Sequence, residues 1–518
     1  MARKINHVLI VGGGTAGWLT AARLAKKFKS ESNGLMTITL IESSNIPTVG
    51  VGEGTWPTIR DTLKKLDIDE TDFINECDAT FKQGARFVSW RNSPSEEPGN
   101  YYHHLFTSLY DPWDFNLAPY WSKNLSSEKT YAEAVSMQGD VCELGLAPKT
   151  IATPQYEGLQ GYAYHLDAGK FAEMLKRKAI NDLNVSHIVD DVEKVNVNES
   201  DWIDSIITKT GLKIEADLFI DCSGFGSKLL GEALGIPFVS VSDVLFSNRA
   251  VALQVPYENV EHPIACETIS TAQPEGWIWD IGLQSRRGIG FVYSDEYLKP
   301  EDAEQRLREY AGQDTSNIKA KHLSFDVGYR EKFWHNNCLA VGLSAAFVEP
   351  LEASAIFLIE AAVNMLCEKF PQREQDMDFI AQQFNQSFGF RWDKTVEFIK
   401  MHYVLSQRTD GEFWINNKQP ETIPESLKMK LQHWEANPLS RYDFDNAFEP
   451  FVLDSYQYVL YGMGFKTQVS DHYGSRDDER KAQQMFAKVE TLREAVKGRL
   501  PSHRELLNKL KEYKFPRI

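Results

Sequence analysis

The sequence predicts an α/β fold in which a Rossmann-like βαβ unit opens the chain and is followed by a layered β-sheet and a mainly helical lobe. Three observations support this prediction. An apolar run at residues 5–11 leads directly into the glycine-rich segment GGGTAGW at 12–18. Apolar residues then recur at helical spacing as far as residue 28, and a second apolar run ends at the acid Glu42. Strand-like stretches continue through the middle of the chain, whereas the residues beyond about 400 become polar and helical.

The composition is that of an ordinary globular protein, with 42% hydrophobic and 25% charged residues among 518. The formal net charge is −17, so the surface repels phosphate backbones and no nucleic acid partner is expected. Six widely spaced cysteines without a CxxC pair argue against a zinc cage or a disulfide framework, and we expect no metal site. No signal peptide and no apolar run approaching about 18 residues is present, so we expect a cytoplasmic protein with no membrane association.

Two consecutive parts are predicted. Residues 1–400 form the core, which includes a pocket wall of loops and short helices at about 93–160 and a sheet layer at about 240–330. Residues 401–518 form a helical C-terminal lobe. The nearly all-apolar stretch 353–370 predicts an interior helix.

The segment GGGTAGW matches the GxGxxG pattern of a dinucleotide-binding turn through Gly12, Gly14 and Gly17. In such a turn the first glycine permits the tight bend, the second lets the backbone approach a pyrophosphate, and the third allows close packing of helix on strand. The first helical residues, Thr15 and Ala16, would present N–H groups to that pyrophosphate. Glycines of an ordinary turn are the alternative interpretation.

Glu42 can accept hydrogen bonds from a ribose diol, although it lies somewhat farther beyond Gly17 than the usual distance of about 20 residues. This pattern alone leaves FAD and NAD open. Two more glycine-rich stretches favour FAD: a buried strand with a second glycine turn at 217–227, and a strap at 46–57 that can lie along an extended cofactor or be a plain surface loop. The cofactor-binding residues predicted in them are Asp221, Gly224, Val51 and Gly52.

Together these segments resemble the flavin-dependent halogenases of the tryptophan halogenase family. GGGTAGW is similar to the family's FAD motif, and GWIWDIGL at 276–283 resembles its WxWxIP signature, with Gly282 in place of the proline. The other similar segments are VGVGEGTWP at 49–57, FKQGARFVSW at 81–90, YAYHLDAGKFAEMLKRKA at 162–179 and FVEPLEAS at 347–354. The resemblance extends to about residue 395, and the part beyond it often shapes the substrate pocket in relatives.

The resemblance implies an FAD-binding domain of the FAD-dependent monooxygenase type and an enzyme that uses reduced FAD, O₂ and chloride or bromide. Its product would be a halogenated electron-rich ring of the indole, phenol or pyrrole type, made with hypohalous acid that reaches a lysine through a tunnel. Because the sequence has no second nucleotide-binding pattern, a separate NAD(P)H-dependent flavin reductase is implied. The resemblance leaves open which substrate is natural, whether it is tethered to a carrier protein, and which halide is used. It also leaves open the oligomeric state, and a homo-oligomer is one of the options.

Lys82 matches the family's active-site lysine and would polarise hypohalous acid or form a haloamine, provided that it is partly desolvated. A solvated surface lysine is the alternative. Glu352 matches the active-site glutamate and would orient the oxidant or accept the ring proton. Its alternative role is that of an acid in the first turn of a helix.

Ser354 and Ala355 match the halide positions of relatives, where backbone N–H groups at a helix start bind the anion. Trp277 and Trp279 would line the tunnel between flavin and substrate, or simply pack in an aromatic core. His104 and Phe106 are expected to line the substrate pocket, the latter by stacking on an aromatic ring. Two further functions stay open: a flavin monooxygenase on the same fold that hydroxylates an aromatic substrate, and a catalytically silent FAD-binding protein.

Overall fold

The computed structural model describes residues 3–31, 36–45, 52–108, 110, 113–126, 128–444 and 446–517. The chain forms two compact units. Unit 1 consists of Met1–Ala79, Leu166–Val241 and Phe325–Trp392, and unit 2 of Thr80–His165, Ser242–Ser324 and Asp393–Ile518. A functional division at residue 400 stays a prediction.

The described strands and helices are numbered along the chain. The strands are β1 (His7–Val11), β2 (Thr37–Glu42), β3 (Glu53–Gly54), β4 (Thr80–Lys82), β5 (Gly84–Val88), β6 (Tyr101–Leu105), β7 (Ala163–Leu166), β8 (Ser186–Val189), β9 (Val192–Val197), β10 (Ile203–Thr208), β11 (Lys213–Glu215), β12 (Leu218–Asp221), β13 (Phe238–Ser240), β14 (Arg249–Pro256), β15 (Thr268–Gln273), β16 (Gly276–Gly282), β17 (Arg286–Tyr293), β18 (Lys321–Ser324), β19 (Gly328–Arg330), β20 (Trp334–His335), β21 (Cys338–Ala340) and β22 (Ala346–Phe347). The α-helices are α1 (Thr15–Glu31), α2 (Ile59–Lys65), α3 (Glu70–Glu76), α4 (Ala118–Ser122), α5 (Tyr131–Val135), α6 (Gln138–Glu143), α7 (Ala168–Arg177), α8 (Pro300–Ala311), α9 (Ala355–Glu368), α10 (Met377–Leu405), α11 (Glu412–Asn416), α12 (Glu425–Ala436), α13 (Leu453–Gly462), α14 (Arg476–Val496) and α15 (His503–Lys509).

Unit 1 contains a six-stranded sheet in the order β20-β21-β12-β1-β2-β8. The strands from β21 to β8 run parallel, and β20 runs antiparallel to β21. The apolar runs that form β1 and β12 are almost entirely buried, as strands covered on both faces should be. The predicted βαβ unit is therefore present as β1, α1 and β2.

The long apolar helix begins later than its sequence predicts. The apolar pattern starts at Ala353, but α9 starts at Ala355 because Glu352 and Ala353 have positive φ angles of 68° and 54°. A left-handed backbone cannot continue a right-handed α-helix. The acid therefore lies in a separate turn before α9 rather than in its first turn.

Unit 2 contains a seven-stranded sheet in the order β18-β14-β17-β16-β15-β5-β6. Its strands pair antiparallel except for the parallel contact of β15 with β5. Residues of β14, β16 and β17 share a buried apolar cluster with α8. The predicted sheet layer at 240–330 and the helical character beyond residue 400 are confirmed. The strand β6, inside the region predicted as loops and short helices, was not expected.

All six cysteines are buried thiols, and burial raises the pKa of each of them. They are Cys77, Cys142, Cys222, Cys266, Cys338 and Cys367. In the described part of the chain, no helix is both long and apolar enough to cross a lipid bilayer.

Candidate active site

Three turns meet at one edge of the unit 1 sheet, where the parallel strands β1, β12 and β21 end. They are the glycine turn at 12–17, the turn at 222–228 and the turn at 341–345. The carboxyl edge of a parallel sheet is where α/β proteins bind ligands. The two glycine-rich turns that the sequence predicts 210 residues apart, at Gly12 and Cys222, are therefore neighbours, since a Cβ on Gly12 would lie 2.1 Å from the Cys222 carbonyl oxygen.

The glycines of these turns are of two kinds. Gly12 has a φ of 119° and Gly17 would place a Cβ 1.9 Å from the Gly12 carbonyl oxygen, so the fold itself requires both. In contrast, a Cβ on Gly14, Gly224 or Gly226 would meet no described atom within 4 Å. Packing within the chain does not demand glycine at these three positions, although the φ of 75° at Gly224 favours glycine for the backbone itself. The open space beside them fits a pyrophosphate that approaches the backbone, so the residues present fit FAD.

Asp221 holds the second glycine turn in place with its buried carboxylate. One oxygen accepts hydrogen bonds from the backbone N–H and the hydroxyl of Ser223, at 3.0 and 2.6 Å. The other accepts from the N–H groups of Leu229 and Leu230, both at 2.9 Å, and from Ser227 at 3.3 Å. Asp221 thus acts on the backbone around Gly224, and its predicted contribution to cofactor binding is indirect.

Glu42 is the last residue of β2, and its carboxylate already accepts hydrogen bonds from other side chains. Its Oε1 accepts hydrogen bonds from Lys176 Nζ at 2.8 Å and from His187 Nε2 at 2.9 Å. The indole N–H of Trp18 points to Oε2 at 3.4 Å. A ribose diol would therefore compete with Lys176 and His187 for Oε1, and would form a hydrogen bond to Oε2 more readily.

Two residues of the third turn were missed by the sequence analysis. Gly342 has a φ of 77°, and a Cβ there would lie 2.8 Å from the Cβ of Ala16, so this turn packs against the first turn of α1 next to Thr15. The hydroxyl of Ser344 donates to the backbone carbonyls of Asp221 and Val341. No periodicity or motif marks these residues, because their importance comes from contacts across the sheet edge.

The predicted strap is described only in part. Residues 46–51, with Val51, lie outside the described residues, and Gly52 is buried with a φ of 136°. The indole N–H of Trp56 donates to the backbone carbonyl of Glu352 at 2.8 Å, and its ring stacks on Phe357 with centroids 4.3 Å apart. The end of the strap is thereby fixed to the Glu352 turn.

Glu352, Ser354 and Ala355 stand in sequence at the start of α9. Glu352 and Ser354 are buried, and Leu358 N–H donates to the Ser354 carbonyl at 3.0 Å, as the first turn of a helix requires. The first N–H groups of any α-helix have no acceptor within it. The backbone at Ser354 and Ala355 can therefore present N–H groups to an anion.

A buried carboxyl lies further along α9. Glu360 is 2% exposed and accepts hydrogen bonds from Thr58 at 3.1 Å and from Thr62. Burial raises its pKa from 4.5 to about 7, although both threonines oppose the shift. The helix α9, at whose start the predicted halide positions lie, is thereby joined to α2.

Lys82 is buried in unit 2, with 2% of its surface exposed, and its Nζ lies 5.3 Å from the centroid of the Phe106 ring. The backbone explains this proximity. Gly84 of β5 pairs with Leu105 of β6, and the N–H of Phe106 donates to the Gln83 carbonyl at 3.2 Å. The alternative of a solvated surface lysine is therefore wrong.

His165 stands on the same face of the β4–β7 ladder as Lys82. It lies opposite Thr80, two residues before Lys82, and alternate residues of a strand share a face. Its Nε2 is 2.9 Å from the hydroxyl of Thr268. Burial and then the charge of Lys82 lower its pKa well below 6.5, so the imidazole is neutral.

His104 is buried, with its ring centroid 6.0 Å from both Phe398 and Tyr458. Phe398 in turn stacks on Phe451 at 3.8 Å. Tyr458 belongs to α13, in the part beyond residue 395 that the family resemblance expects to shape the substrate pocket. Nothing in the local sequence pattern separates Phe398 and Phe451 from core aromatics, so the sequence alone does not predict their place beside His104.

The strand β6, which carries His104 and ends one residue before Phe106, is held by a charged cluster around His103. His103 Nδ1 is 3.0 Å from Glu267, and its Nε2 is 3.2 Å from Glu143. Although burial opposes it, the two carboxylates raise the pKa of His103 to about 9. The imidazolium between two carboxylates braces β6 against its surroundings.

Trp277 and Trp279 are both buried on one face of β16, with ring centroids 6.4 Å apart. Trp277 packs 6.2 Å from Trp90, within an aromatic cluster, and the Trp279 indole lies over Gly290, where a Cβ would come within 2.0 Å of it. This packing agrees with the aromatic-core interpretation. A tunnel role for the pair stays a prediction.

The chain is similar to known halogenases over nearly its whole length. A family profile described as tryptophan halogenase matches residues 7–479. The 7-chloro-L-tryptophan 6-halogenase KtzR of Kutzneria sp. is 34% identical over 528 residues, covering 97% of this chain and 99% of the relative. The crystal structure of a tryptophan halogenase from Shewanella frigidimarina is 42% identical, with a TM-score of 0.96 and coverage of 99% of both chains.

A third match is BrvH, a flavin-dependent halogenase from Brevundimonas sp., at 30% identity, a TM-score of 0.85 and coverage of 98% of this chain and 99% of that one. The resemblance stated from the motifs is thereby confirmed. Hydroxylation of an aromatic substrate, the alternative activity on the same fold, is not supported by these comparisons.

Proposed function

The chain belongs to the tryptophan halogenase family and is a flavin-dependent halogenase, and on that premise we propose that it halogenates an electron-rich aromatic ring at Lys82. The observation that carries the proposal is the buried Lys82 ammonium beside the Phe106 ring. A cation that is removed from water and faces an aromatic surface is placed to hold an oxidant next to an aromatic substrate. Chloride and bromide are both retained as halides.

Cofactor binding is assigned to the three turns of unit 1. Gly14 and Gly224 leave the space that a pyrophosphate needs, and the N-terminus of α1 at Thr15 supplies N–H groups. Bound reduced FAD, with O₂ and halide, supplies hypohalous acid. Ser354 and Ala355 would hold the halide through their backbone N–H groups at the start of α9.

Lys82 activates the oxidant in this proposal. Its ammonium donates a hydrogen bond to the oxygen of hypohalous acid, which makes the halogen more electrophilic. A ring carbon attacks the halogen, so that a carbon–halogen bond forms and the oxygen–halogen bond breaks. The oxygen takes a proton from the Lys82 ammonium and leaves as water, and the Lys82 amine regains a proton from solvent before the next turnover. The ring is oxidised and the halogen is reduced.

Glu352 is proposed as the base of the final step. The ring carbon that has gained the halogen must lose its proton to become aromatic again, and a carboxylate can accept it. Because the imidazole of His165 is neutral, it does not place a second positive charge near Lys82. No further co-reactant is needed beyond the hypohalous acid.

The substrate class is narrowed by the relatives. KtzR is named for a tryptophan substrate, and this chain places aromatic residues around His104 and Phe106. We therefore put indoles first, ahead of phenols and pyrroles. Reduced FAD would come from a separate NAD(P)H-dependent flavin reductase.

The test supplies the purified enzyme with reduced FAD, O₂, bromide and a panel of indoles, phenols and pyrroles. Mass spectrometry should reveal the bromine isotope pattern on a product. Lys82→Met should abolish that product while flavin reoxidation continues. Lys149→Met is the matched control, because Lys149 is another buried lysine in unit 2, 3.9 Å from the Phe515 ring, and its loss should leave the chemistry intact.

Two outcomes would overturn the proposal. A hydroxylated product in place of a halogenated one would assign a different reaction. Halogenation by Lys82→Met at the rate of the Lys149→Met control would remove Lys82 from the mechanism.

A further inference from the structure

Trp56 joins two elements on which the proposed chemistry depends. Its indole N–H donates to the backbone carbonyl of Glu352 at 2.8 Å. Its ring stacks on Phe357, two residues into α9, with centroids 4.3 Å apart and an angle of 18° between the planes. One side chain therefore contacts both the Glu352 turn and the helix that follows it.

The turn that Trp56 contacts has an unfavourable backbone. Glu352 and Ala353 are consecutive non-glycine residues with φ angles of 68° and 54°. A side chain in the left-handed region is disfavoured by the clash of its Cβ with the backbone. Such a conformation persists only where surrounding contacts fix it, and it is found most often at functional sites.

Hydrogen bonds from inside and from outside the turn hold its backbone. The N–H of Ala353 donates to the Pro350 carbonyl at 3.0 Å, which closes the turn from within. From outside the turn, the Trp56 N–H holds the carbonyl of Glu352. Because Trp56 is itself held by stacking on Phe357, its donor group has a fixed position relative to α9.

We propose that Trp56 is a positioning residue that holds the left-handed turn at Glu352–Ala353 and so aims the Glu352 carboxylate and the N–H groups of Ser354 and Ala355. The catalytic part of this inference rests on the proposed roles of those three residues. Indole is required because it combines a flat surface for Phe357 with an N–H donor. Phenylalanine would keep the first property and lose the second.

The test is a double-mutant cycle between Trp56→Phe and Ala353→Gly. Trp56→Phe should lower kcat about tenfold and raise the KM for halide. Ala353→Gly should have little effect alone. In the double variant it should restore most of the loss, because glycine adopts a left-handed φ without strain and no longer needs the brace.

Trp414→Phe provides the matched control. Trp414 is a buried indole whose N–H donates to the Gln273 carbonyl at 2.7 Å, so this change also removes one indole hydrogen bond. Ala353→Gly should not rescue it. Additive effects of Trp56→Phe and Ala353→Gly on kcat and on halide KM would overturn the proposal.

Urea denaturation of the wild type, the two single variants of the cycle and the double variant tests this inference independently of the proposed function. If Trp56 holds the strained turn, Ala353→Gly stabilises the wild type by the whole of the strain that glycine relieves, and stabilises the Trp56→Phe background by less, because loss of the brace has already let the turn relax there. That result requires no catalysis, so it would stand even if Glu352 had no catalytic role. Equal stabilisation of both backgrounds would refute the brace whatever the activity shows.

Discussion

The ammonium nitrogen of Lys82 lies 5.3 Å from the centroid of the Phe106 ring, and 2% of the lysine surface is exposed. The pairing of Gly84 with Leu105 and the hydrogen bond from Phe106 to Gln83 fix this distance. A cation held against an aromatic face in a dry environment gains about 2 kcal/mol from the ring. The ring therefore contacts Lys82 in addition to its proposed role of stacking on the substrate.

Removal of the Phe106 ring should reduce activity more than loss of packing alone explains. We expect Phe106→Leu to lower kcat/KM by about tenfold to a hundredfold, because both the cation–π contact and the substrate stacking are lost. Phe106→Tyr keeps the π face and should stay within a few fold of the wild type. Steady-state kinetics with an indole substrate measures the difference. Equal activities for the leucine and tyrosine variants would show that the ring acts only by filling space.

Substitutions of the glycines in the first turn should distinguish an effect on FAD binding from an effect on folding. Gly14→Ala adds a methyl group to open space and should fold normally but raise the Kd for FAD at least about tenfold. Gly12→Ala should misfold, since its Cβ would lie 2.1 Å from the Cys222 carbonyl oxygen. Quenching of flavin fluorescence gives Kd, and circular dichroism reports the fold.

Gly389→Ala is the control for the glycine experiment. A Cβ at Gly389 also meets no described atom within 4 Å, but this residue lies in α10, away from the three turns. Its substitution should leave FAD affinity unchanged. A Gly14→Ala protein with wild-type affinity for FAD would contradict the assignment of that space to the pyrophosphate.

The buried carboxyl of Glu360 should make the protein less stable as the pH rises. Because burial raises its pKa from 4.5 to about 7, the folded protein keeps a proton there that the unfolded chain releases between these values. The free energy of unfolding should therefore fall as the pH rises from about 4.5 to 7. Glu360→Gln removes this loss and should be the more stable protein at pH 8, by at most about 3 kcal/mol, with little difference at pH 4.5.

Urea denaturation at pH 4.5, 6 and 8 tests the Glu360 prediction. Glu53, whose pKa burial also raises to about 7, titrates in both proteins and cancels in the comparison. Glu421→Gln, at an exposed position, controls for the substitution itself. A stability difference between Glu360→Gln and the wild type that does not grow with pH would show that the carboxyl is not buried as described.

Local signals in the sequence predict the first two turns at the carboxyl edge of the unit 1 sheet. The strand, the glycines and the helix of the first turn lie within 30 residues, and Gly12 and Gly17 each have a steric reason that can be inferred from spacing. The second glycine turn is equally local. Their convergence follows from the rule that parallel strands end at one edge.

Other parts of the site depend on contacts between distant residues. Trp56 and Glu352 are 296 positions apart, and no pattern in either segment indicates their hydrogen bond. The left-handed backbone at Ala353 contradicts a strong local helix signal, because tertiary contacts override propensity there. The strand Tyr101–Leu105 was missed because YYHHL lacks an alternation of apolar and polar residues.

The proposed reaction makes hypohalous acid, a reagent that attacks sulfur, inside the enzyme. The thiolate is the vulnerable form of cysteine, and exposure to solvent governs its reaction. Since all six thiols are enclosed and their pKa values are raised, including that of Cys222 beside the proposed cofactor cradle, each remains protonated and shielded. The working lifetime of the catalyst should therefore be limited by damage elsewhere than at its cysteines.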